Sequence, residues 1–589
     1  MQKLFLIAKS FVDIYQIQCY NRGNRADAFH KIPKGDALMK KLIALLLSAS
    51  LALSVCLFAG CGNTPDETTA STTTAASTTE TTVASTEQTT EATTTSKDTE
   101  AQNTTTESTT AETTTEATST TTDTQPEDTT SAAEVIDTPP STVDLSNYDG
   151  YTKLPGFEDV DFGGKTFIIS GGIQTPDVMN TDVEIYSDET DLIHTAVRER
   201  NLLVEKLYNC KIELYAVGNP YSIAAADVTG NIHTLDIYTN TYHSHGYHTN
   251  GINYNLYNLG INFDNPWWDQ AFVDTYTLDV NGKDTIYGVV GDFAITAWSS
   301  IYTLFYNIDL YQSNEYCQKI DIYQLVRDKK WTMDIFAEMV KNVKRDVNGN
   351  SVYAYADEDI MGWVRTGHAS HAMHVASNMK IISTVNGNFV FSPAAQANEW
   401  STVIDKGIEM WALEGTETIS YSKIPAYIAA DKTLFASEIL GTAIGMRNMD
   451  VSLGLVPYPL YSEAQEAYCN YVDSHVGLYY IPISVPDPEL IATFFELYTC
   501  HSSYTVRPAY IESYKVEYLG DDESGEMLDL IFDNLNYDPG YLWWSAYETD
   551  VGNMISGAKN NITQWAGRKG ANIVKEIETV MEGLRDNLY

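Results

Sequence analysis

The chain has 589 residues, of which 36 are Lys or Arg and 79 are Asp or Glu, and its formal net charge is −43. A negative charge of this size argues against a nucleic-acid partner and against a body that lies on an anionic membrane, because both surfaces repel it. The seven cysteines include no CxxC pair and are too few to staple a fold of this size.

An export signal is predicted at residues 39–60. Met39–Lys41 supply positive charge, an apolar run extends from Leu42 to Phe58, and two small residues precede Cys61. Leu57–Cys61 resembles the bacterial lipobox, in which the signal is cut before a cysteine that carries lipid. The resemblance implies a chain anchored by lipid at Cys61 on the extracellular face of a bacterial membrane, with a Gram-positive cell favoured. A plain signal peptide and an uncleaved anchor helix are the alternatives.

Residues 1–38 precede this signal and resemble no targeting segment. Lys34–Asp36 can be encoded by a purine-rich ribosome-binding sequence shortly before the Met39 codon. The hypothesis is that Met39 is the start and that residues 1–38 are a leader outside the fold.

Residues 61–147 form a segment dominated by Thr, Ser and Glu. No aromatic residue occurs between Thr64 and Asp137, and Lys97 is the one lysine there. Such a segment cannot bury enough apolar surface to offset its chain entropy, which predicts a disordered tether. It would give a body anchored at Cys61 a long reach from the membrane.

The remaining body, residues 148–589, is too large for one core and is predicted to form two lobes. Its first elements are a strand at 164–172, a helix at 189–208, a strand at 211–215 and a strand at 235–239. This alternation predicts a parallel α/β unit. Ligands bind beyond the carboxyl ends of such strands, which here are residues 171–175 and 240–248.

Later parts of the body also contain predicted strands and a helix. We predict a β-like stretch at 276–280 with a turn at Asn281-Gly282, a strand at 301–307 and a helix that begins after Thr332.

The order of several short motifs resembles the extracellular solute-binding proteins of ABC importers, with the maltose-binding branch as the nearest well-known relative. The motifs are Tyr306-Asn307, Trp331-Thr332, Met361–Trp363, Thr433–Phe435, Leu453–Pro459 and Tyr480–Ser484. The resemblance implies an α/β, two-lobed, type II periplasmic-binding-protein-like fold with crossing hinge strands and a ligand cleft. It places lobe 1 at 148–301 and 451–497 and lobe 2 at 307–449 and 505–589. Crossings are expected near 302–306, 450–457 and 496–507.

The same resemblance implies a binding protein without catalysis or cofactor. Its partners would be a small solute, with an oligosaccharide favoured by the aromatic content, and an ABC permease in the membrane; a monomer is expected. Sugar sites use aromatic faces with polar side chains that fix hydroxyls. Position along the chain selects Tyr242, His243, Asp292, Trp298, Trp363, Arg365, His368, Trp543 and Trp544 as candidate ligand-binding residues, and packing is the alternative for each.

Two histidine groups and one acidic loop raise the question of a metal. His243, His245 and His248 follow a strand, whereas His368, His371 and His374 lie in a predicted helix whose geometry spreads them apart. The loop 346–357 imitates a calcium loop but has Ser where that loop needs Gly. The sequence therefore predicts no metal site.

Two other functions compete with solute binding. A secreted carbohydrate-active enzyme would need a pair of carboxylates in a cleft, and no nucleophile motif marks one. A surface adhesin would use the Thr-rich segment as a stalk. Disulfide pairing among Cys210, Cys317, Cys469 and Cys500 is left open by the sequence.

Overall fold

A computed structural model describes residues 142–171, 182–183, 191–240, 246–392, 397–446, 449–474 and 476–586. The expected leader, signal peptide, lipidation site Cys61 and most of the tether lie outside the described residues, as do the candidates Tyr242 and His243. The described residues fall in one compact unit, Glu127–Tyr589. Within them, no helix combines the length and the apolar character needed to cross a bilayer.

The strands form two five-stranded sheets and several short pairs. In chain order they are β1 (Lys165–Ser170), β2 (Cys210–Leu214), β3 (Ile237–Asn240), β4 (Leu278–Val280), β5 (Lys283–Thr285), β6 (Gly288–Val289), β7 (Tyr302–Asn307), β8 (Met361–Arg365), β9 (Ile382–Val385), β10 (Asn388–Phe391), β11 (Thr416–Thr418), β12 (Thr433–Ile439), β13 (Leu453–Val456), β14 (Asn470–Tyr471), β15 (Leu478–Tyr480) and β16 (Leu535–Asn536).

Helices cover both sheets. They are Leu192–Tyr208, Pro220–Gly230, Gly246–Thr249, Gln270–Tyr276, Ile295–Ser299, Ile308–Ser313, Ile322–Arg327, Met333–Val343, Ala369–Ala376, Ala397–Trp411, Ile424–Ala429, Pro488–Tyr504, Val506–Ser513, Asp522–Phe532, Pro539–Leu542, Ser545–Ser556 and Ile562–Asp586.

The first sheet has the order β2-β1-β3-β15-β6. The predicted parallel unit is confirmed, since β1 pairs in parallel with β2 and β3. The helix Leu192–Tyr208 connects β1 to β2; Asp191 caps it by accepting the His194 amide, and Asn209 ends it in the left-handed conformation. The strand β15 comes from much later in the chain and enters antiparallel between β3 and β6. The first lobe, as defined by this sheet, is therefore built from two distant parts of the chain.

The second sheet has the order β11-β8-β12-β7-β13 and defines the second lobe. β8, β11 and β12 are parallel, whereas β7 runs antiparallel to both β12 and β13. The two-lobed α/β fold implied by the sequence resemblance is thus confirmed. One buried apolar cluster extends through both sheets and includes Phe167 in β1 and Trp363 in β8.

Two of the segments expected to cross between the lobes are strands of the second sheet. Residues 302–307, expected near the first crossing, are β7 of the second sheet. β13, which the interpretation 451–497 placed in lobe 1, pairs with β7 from Leu453 to Val456, so the chain returns to the first sheet only after Val456. The helix Pro488–Tyr504 occupies residues 496–504 of the expected third crossing and ends before 507. Burial on both faces explains β13, because all four of its residues are buried.

Two hairpins have Asn-Gly turns. The predicted turn at Asn281-Gly282 is confirmed and joins β4 to β5, with φ of 59° and 77°. Asn386-Gly387 joins β9 to β10 with φ of 48° and 68°. Two consecutive positive φ angles define the tight turn that matches the twist of a hairpin. The β4–β5 hairpin precedes the strands of the second sheet in the chain. The β9–β10 hairpin lies in the chain between β8 and β11 of that sheet.

Candidate functional site

The carboxyl edge of the second sheet gathers polar side chains. β8 ends at Arg365, and its partner across the parallel pair is Ser437 of β12. Glu438 follows in β12, and Tyr458 lies two residues beyond β13. This edge is where open α/β sheets offer space for a ligand. We refer to Arg365, Ser437, Glu438 and Tyr458 as the edge cluster.

Arg365 is the charged centre of the edge cluster. Its side chain is 3 % exposed, and its guanidinium carbon lies 4.4 Å from the ring centre of Trp363 and 4.1 Å from that of Trp411. Nη2 donates to the Trp411 carbonyl at 2.8 Å, whereas Nε and Nη1 are buried without a hydrogen-bond partner. Burial lowers the pKa of Arg365 to about 10. Buried charges are normally paired, so these two nitrogens of Arg365 can still donate hydrogen bonds to a ligand.

Acceptors of the edge cluster are also incompletely bonded. Glu438 is buried, its Oε2 has no hydrogen-bond partner, and burial raises the pKa of its carboxyl. The hydroxyl of Tyr458 is buried without a hydrogen-bond partner, and burial raises the pKa of Tyr458. Trp363 Nε1 donates to Ser437 Oγ at 2.7 Å, which fixes that indole. The cluster can therefore offer both donors and acceptors to a polar molecule.

A second group of residues continues the edge towards the lobe junction. His368 is half exposed, and its Nδ1 lies 3.0 Å from Asp473 Oδ2. Asp473 also accepts from the Tyr471 hydroxyl at 3.3 Å, and its amide donates to the Ser300 carbonyl at 2.8 Å. The carboxylate of Asp473 thus holds the orientation of the His368 ring.

The other two histidines of this group face different partners. His371 Nδ1 lies 2.8 Å from Glu548 Oε1, and His374 contacts the Tyr541 hydroxyl. Burial lowers the pKa of His371 to about 3 and raises the pKa of Glu548, so both groups favour their neutral forms. Among the residues that the structure describes, no group of three or more His, Cys, Asp or Glu is placed to hold a metal ion.

The carboxyl edge of the first sheet has its own buried polar centre. Asp182 accepts from the Thr296 amide at 3.1 Å, from Thr296 Oγ1 at 2.8 Å and from the Tyr479 hydroxyl at 2.7 Å. Arg200 Nη2 donates to the Asp182 carbonyl at 2.8 Å. Burial raises the pKa of Asp182 to about 7 against the opposing effect of these hydrogen bonds. Thr239 Oγ1, at the end of β3, is buried without a partner.

The structure places the other candidates in protein contacts. Asp292 is bonded to Arg507 Nη1 at 3.0 Å, and burial raises its pKa to about 7. Trp298 packs against Tyr510, with ring centres 5.1 Å apart. Trp543 lies 4.2 Å from the His248 ring and also packs on Trp544.

Trp363, Arg365 and His368 are therefore the candidates that the structure brings to one edge. Sequence reasoning missed Glu438, Tyr458 and Asp473. The available signal was positional, because each stands at or just after the end of a short apolar stretch. Cys210, Cys317, Cys469 and Cys500 are all buried and unpaired.

Two cavities help to delimit the site. A void of about 10 Å³, with room for no more than one water molecule, lies beside Trp543 and His248. An open depression of about 510 Å³ is lined by Asp264, Asp274, Asp279 and Asp284 at the first lobe and by the turn of the β9–β10 hairpin. Neither includes the edge cluster, whose polar atoms are covered in this arrangement of the lobes.

Comparison with known proteins gives structural neighbours alone. No family model and no curated protein matches the chain. A cyclo/maltodextrin-binding protein complexed with maltotetraose shares 9 % identity over 72 % of this chain and 96 % of that chain, with a TM-score of 0.44. An ABC substrate-binding protein from Listeria monocytogenes in complex with cycloalternan shares 10 % over 72 % and 98 %, with a TM-score of 0.40. MalE from Bdellovibrio bacteriovorus bound to maltotriose shares 11 % over 72 % and 98 %, with a TM-score of 0.41.

These neighbours are binding proteins of the class that the sequence motifs resemble. Likeness at this level assigns neither a family nor a ligand to the chain.

Proposed function

We propose that this chain is an extracellular solute-binding protein that delivers a small polar solute, with an oligosaccharide favoured, to an ABC permease. The observation that carries the proposal is the edge cluster. Arg365 and Glu438 are buried with free hydrogen-bonding atoms, and Trp363 and Trp411 stack on the Arg365 guanidinium. Sugar sites combine aromatic faces with a few convergent polar groups.

The two-lobed fold supports the same role. Solute-binding proteins of this architecture hold ligand between two α/β lobes, and the carboxyl edges of both sheets here carry buried polar groups with free atoms. We infer from these polar groups a binding role without turnover.

The test is thermal unfolding of the full chain against a panel of oligosaccharides, peptides and metal ions. A solute at one hundred times its dissociation constant adds about 2.7 kcal/mol to the free energy of unfolding. We expect a sugar to raise the melting temperature and the rise to disappear in His368→Asn. His233→Asn is the matched control, because His233 also bonds a carboxylate, Asp236, but stands before β3 in the first lobe.

Three outcomes would contradict parts of the proposal. Release of shortened sugars during incubation would favour the carbohydrate-active enzyme. A shift that persists in both His368→Asn and Arg365→Met would show that the ligand does not bind at the edge cluster. A response to metal ions alone would contradict the sugar assignment.

Anchoring at Cys61 is a separate proposal that rests on the sequence of residues 39–61. It predicts that Cys61→Ser moves the chain from the membrane fraction to the medium, whereas Cys56→Ser, within the same signal, leaves it on the membrane. Delivery to a permease predicts that cells without this chain lose uptake of the identified solute and that Cys61→Ser reduces it. If Cys61→Ser stays in the membrane fraction, lipid anchoring is contradicted. The proposed binding site would not be affected by that result.

A further inference from the structure

The two Asn-Gly hairpins meet across the lobes. The amide of Asp279, in β4, donates to the carbonyl of Gly387 at 2.8 Å. A Cβ atom on Gly387 would lie 2.5 Å from that amide nitrogen and 2.6 Å from the Asp279 Cβ. Only a residue without a side chain allows the turn to approach this strand so closely. The β9–β10 hairpin of the second lobe is thus seated on the β4–β5 hairpin, which belongs to the chain segment between β3 and β6 of the first sheet.

Aromatic side chains extend this contact. Tyr276, in the helix that precedes β4, lies 6.4 Å from the ring of Phe389 in β10 and 5.6 Å from Trp543. Trp543 reaches further into the first lobe, 4.2 Å from His248. All four of these side chains are at most 5 % exposed. An apolar interface of this kind resists separation because opening it exposes aromatic area to water.

Polar contacts fix the register of the interface. The hydroxyl of Tyr537 donates to Asp269 Oδ2 at 2.8 Å, and Asp269 Oδ1 accepts the amide of Phe272 and so caps the helix Gln270–Tyr276. Thr384 Oγ1 donates to the carbonyl of Thr275. The Tyr537–Asp269 and Thr384–Thr275 bonds join residues on opposite sides, and separation of the sides would break both.

We propose that these contacts form a clasp, defined as residues 382–391 and 537–544 of the second lobe seated on residues 269–285. The clasp joins the two lobes through contacts that are separate from the chain connections between the two sheets, so the lobes cannot separate without breaking this interface. This inference concerns the fold and holds whether or not the proposed solute is a sugar.

Hydrogen–deuterium exchange of the full chain tests the clasp directly. We expect the Asp279 amide to exchange within tenfold of the amides of β1, because both are held by the global fold. In Gly387→Ala the Asp279 amide should exchange at least tenfold faster, while β1 is unchanged. Gly163→Ala is the matched control: Gly163 also has a positive φ, 63°, but its Cβ would meet no atom within 4 Å.

Calorimetry of the same proteins gives an independent readout. A clasped chain unfolds in one transition, and Gly387→Ala should split or broaden it, whereas Gly163→Ala should only shift it. Exchange of the wild-type Asp279 amide more than a hundredfold faster than β1, or two transitions in the wild type, would overturn the clasp. If Gly387→Ala does not fold, Tyr537→Phe is the milder variant for the same comparison.

Discussion

The guanidinium carbon of Arg365 lies 4.1 Å from the centre of the Trp411 ring, in a place where two of its nitrogens have no hydrogen-bond partner. A stacked cation gains up to about 2 kcal/mol from a desolvated ring. Burying the charge without a carboxylate costs several kcal/mol. Because these effects oppose each other, we expect Arg365→Met to change the free energy of unfolding by less than about 1 kcal/mol. Urea unfolding measures this, and the solute-induced shift in melting temperature should disappear.

Arg200→Met is the matched control for that experiment. Arg200 is also fully buried and lies 3.8 Å from the ring centre of Tyr498, but it donates to the Asp182 carbonyl and to Ser502 Oγ at 2.8 Å each. Removing it leaves buried acceptors unpaired, and a loss of about 3 kcal/mol is expected. Equal losses for the two variants would show that Arg365 has a structural partner and would remove it from the candidate site.

Stability should fall as the pH rises from 6.5, above which the buried His371 no longer opposes the change, to 8. Burial raises the pKa of Glu496 from 4.5 to about 7. The folded state therefore holds a proton that the unfolded chain releases, so this contribution is complete below about pH 4.5 and is lost as the pH rises through 7. Asp182 and Asp292, with pKa values raised to about 7, act in the same direction.

Glu496→Gln should make the pH dependence shallower. Glu496 Oε1 accepts from Asn265 Nδ2 at 2.8 Å and from Trp267 Nε1 at 2.9 Å, while Oε2 has no partner. Glutamine can keep the accepting oxygen and cannot ionise, so the variant should gain about 1–3 kcal/mol over the wild type at pH 8. Glu489→Gln, exposed in the first turn of the same helix, should leave the slope unchanged. Urea titrations at four pH values compare them, and parallel curves for Glu496→Gln and the wild type would contradict the prediction.

Sequence patterns predicted local structure better than they predicted the site. The short apolar run of β1 and the Asn281-Gly282 turn depend on neighbouring residues, and both were predicted correctly. The position of β13 depends on which distant strand it meets, and the sequence carried no signal that Leu453 would pair with Asn307. Burial follows from the same long-range packing.

Residues of the edge cluster were hard to predict from the sequence for the same reason. Glu438 follows the apolar stretch of β12 and resembles any acidic residue at a strand end, so only the sheet order brings it to the edge that Arg365 reaches. The aromatic candidates show the opposite situation, because their position along the chain suggested a ligand site. Trp298 and Trp543 stand in stretches where a ligand-stacking ring is plausible, yet their rings contact Tyr510 and His248.

The hydroxyl of Tyr537 should contribute measurably to stability. It donates to Asp269, a buried carboxylate whose pKa is raised by burial, and its loss leaves Oδ2 without that donor. We expect Tyr537→Phe to lower the free energy of unfolding by about 1–3 kcal/mol. Tyr355→Phe is the control, because its hydroxyl makes a long 3.5 Å contact at the surface, and a change within about 0.5 kcal/mol is expected. Indistinguishable denaturation curves for the two variants would contradict the assigned bond.

Replacement of Trp543 should destabilise the protein through packing. The side chain is 5 % exposed and fills the space between His248, Phe389 and Trp544. Trp543→Ala leaves a cavity that the surrounding rings cannot close, and a loss of about 3–5 kcal/mol is expected. Tyr421→Ala provides the comparison, since Tyr421 is 70 % exposed and should change stability by no more than about 0.5 kcal/mol. If Trp543→Ala keeps its stability but loses the solute-induced shift, Trp543 contacts ligand and its packing role is minor; if stability falls and the remaining folded protein still responds to solute, its role is in the clasp.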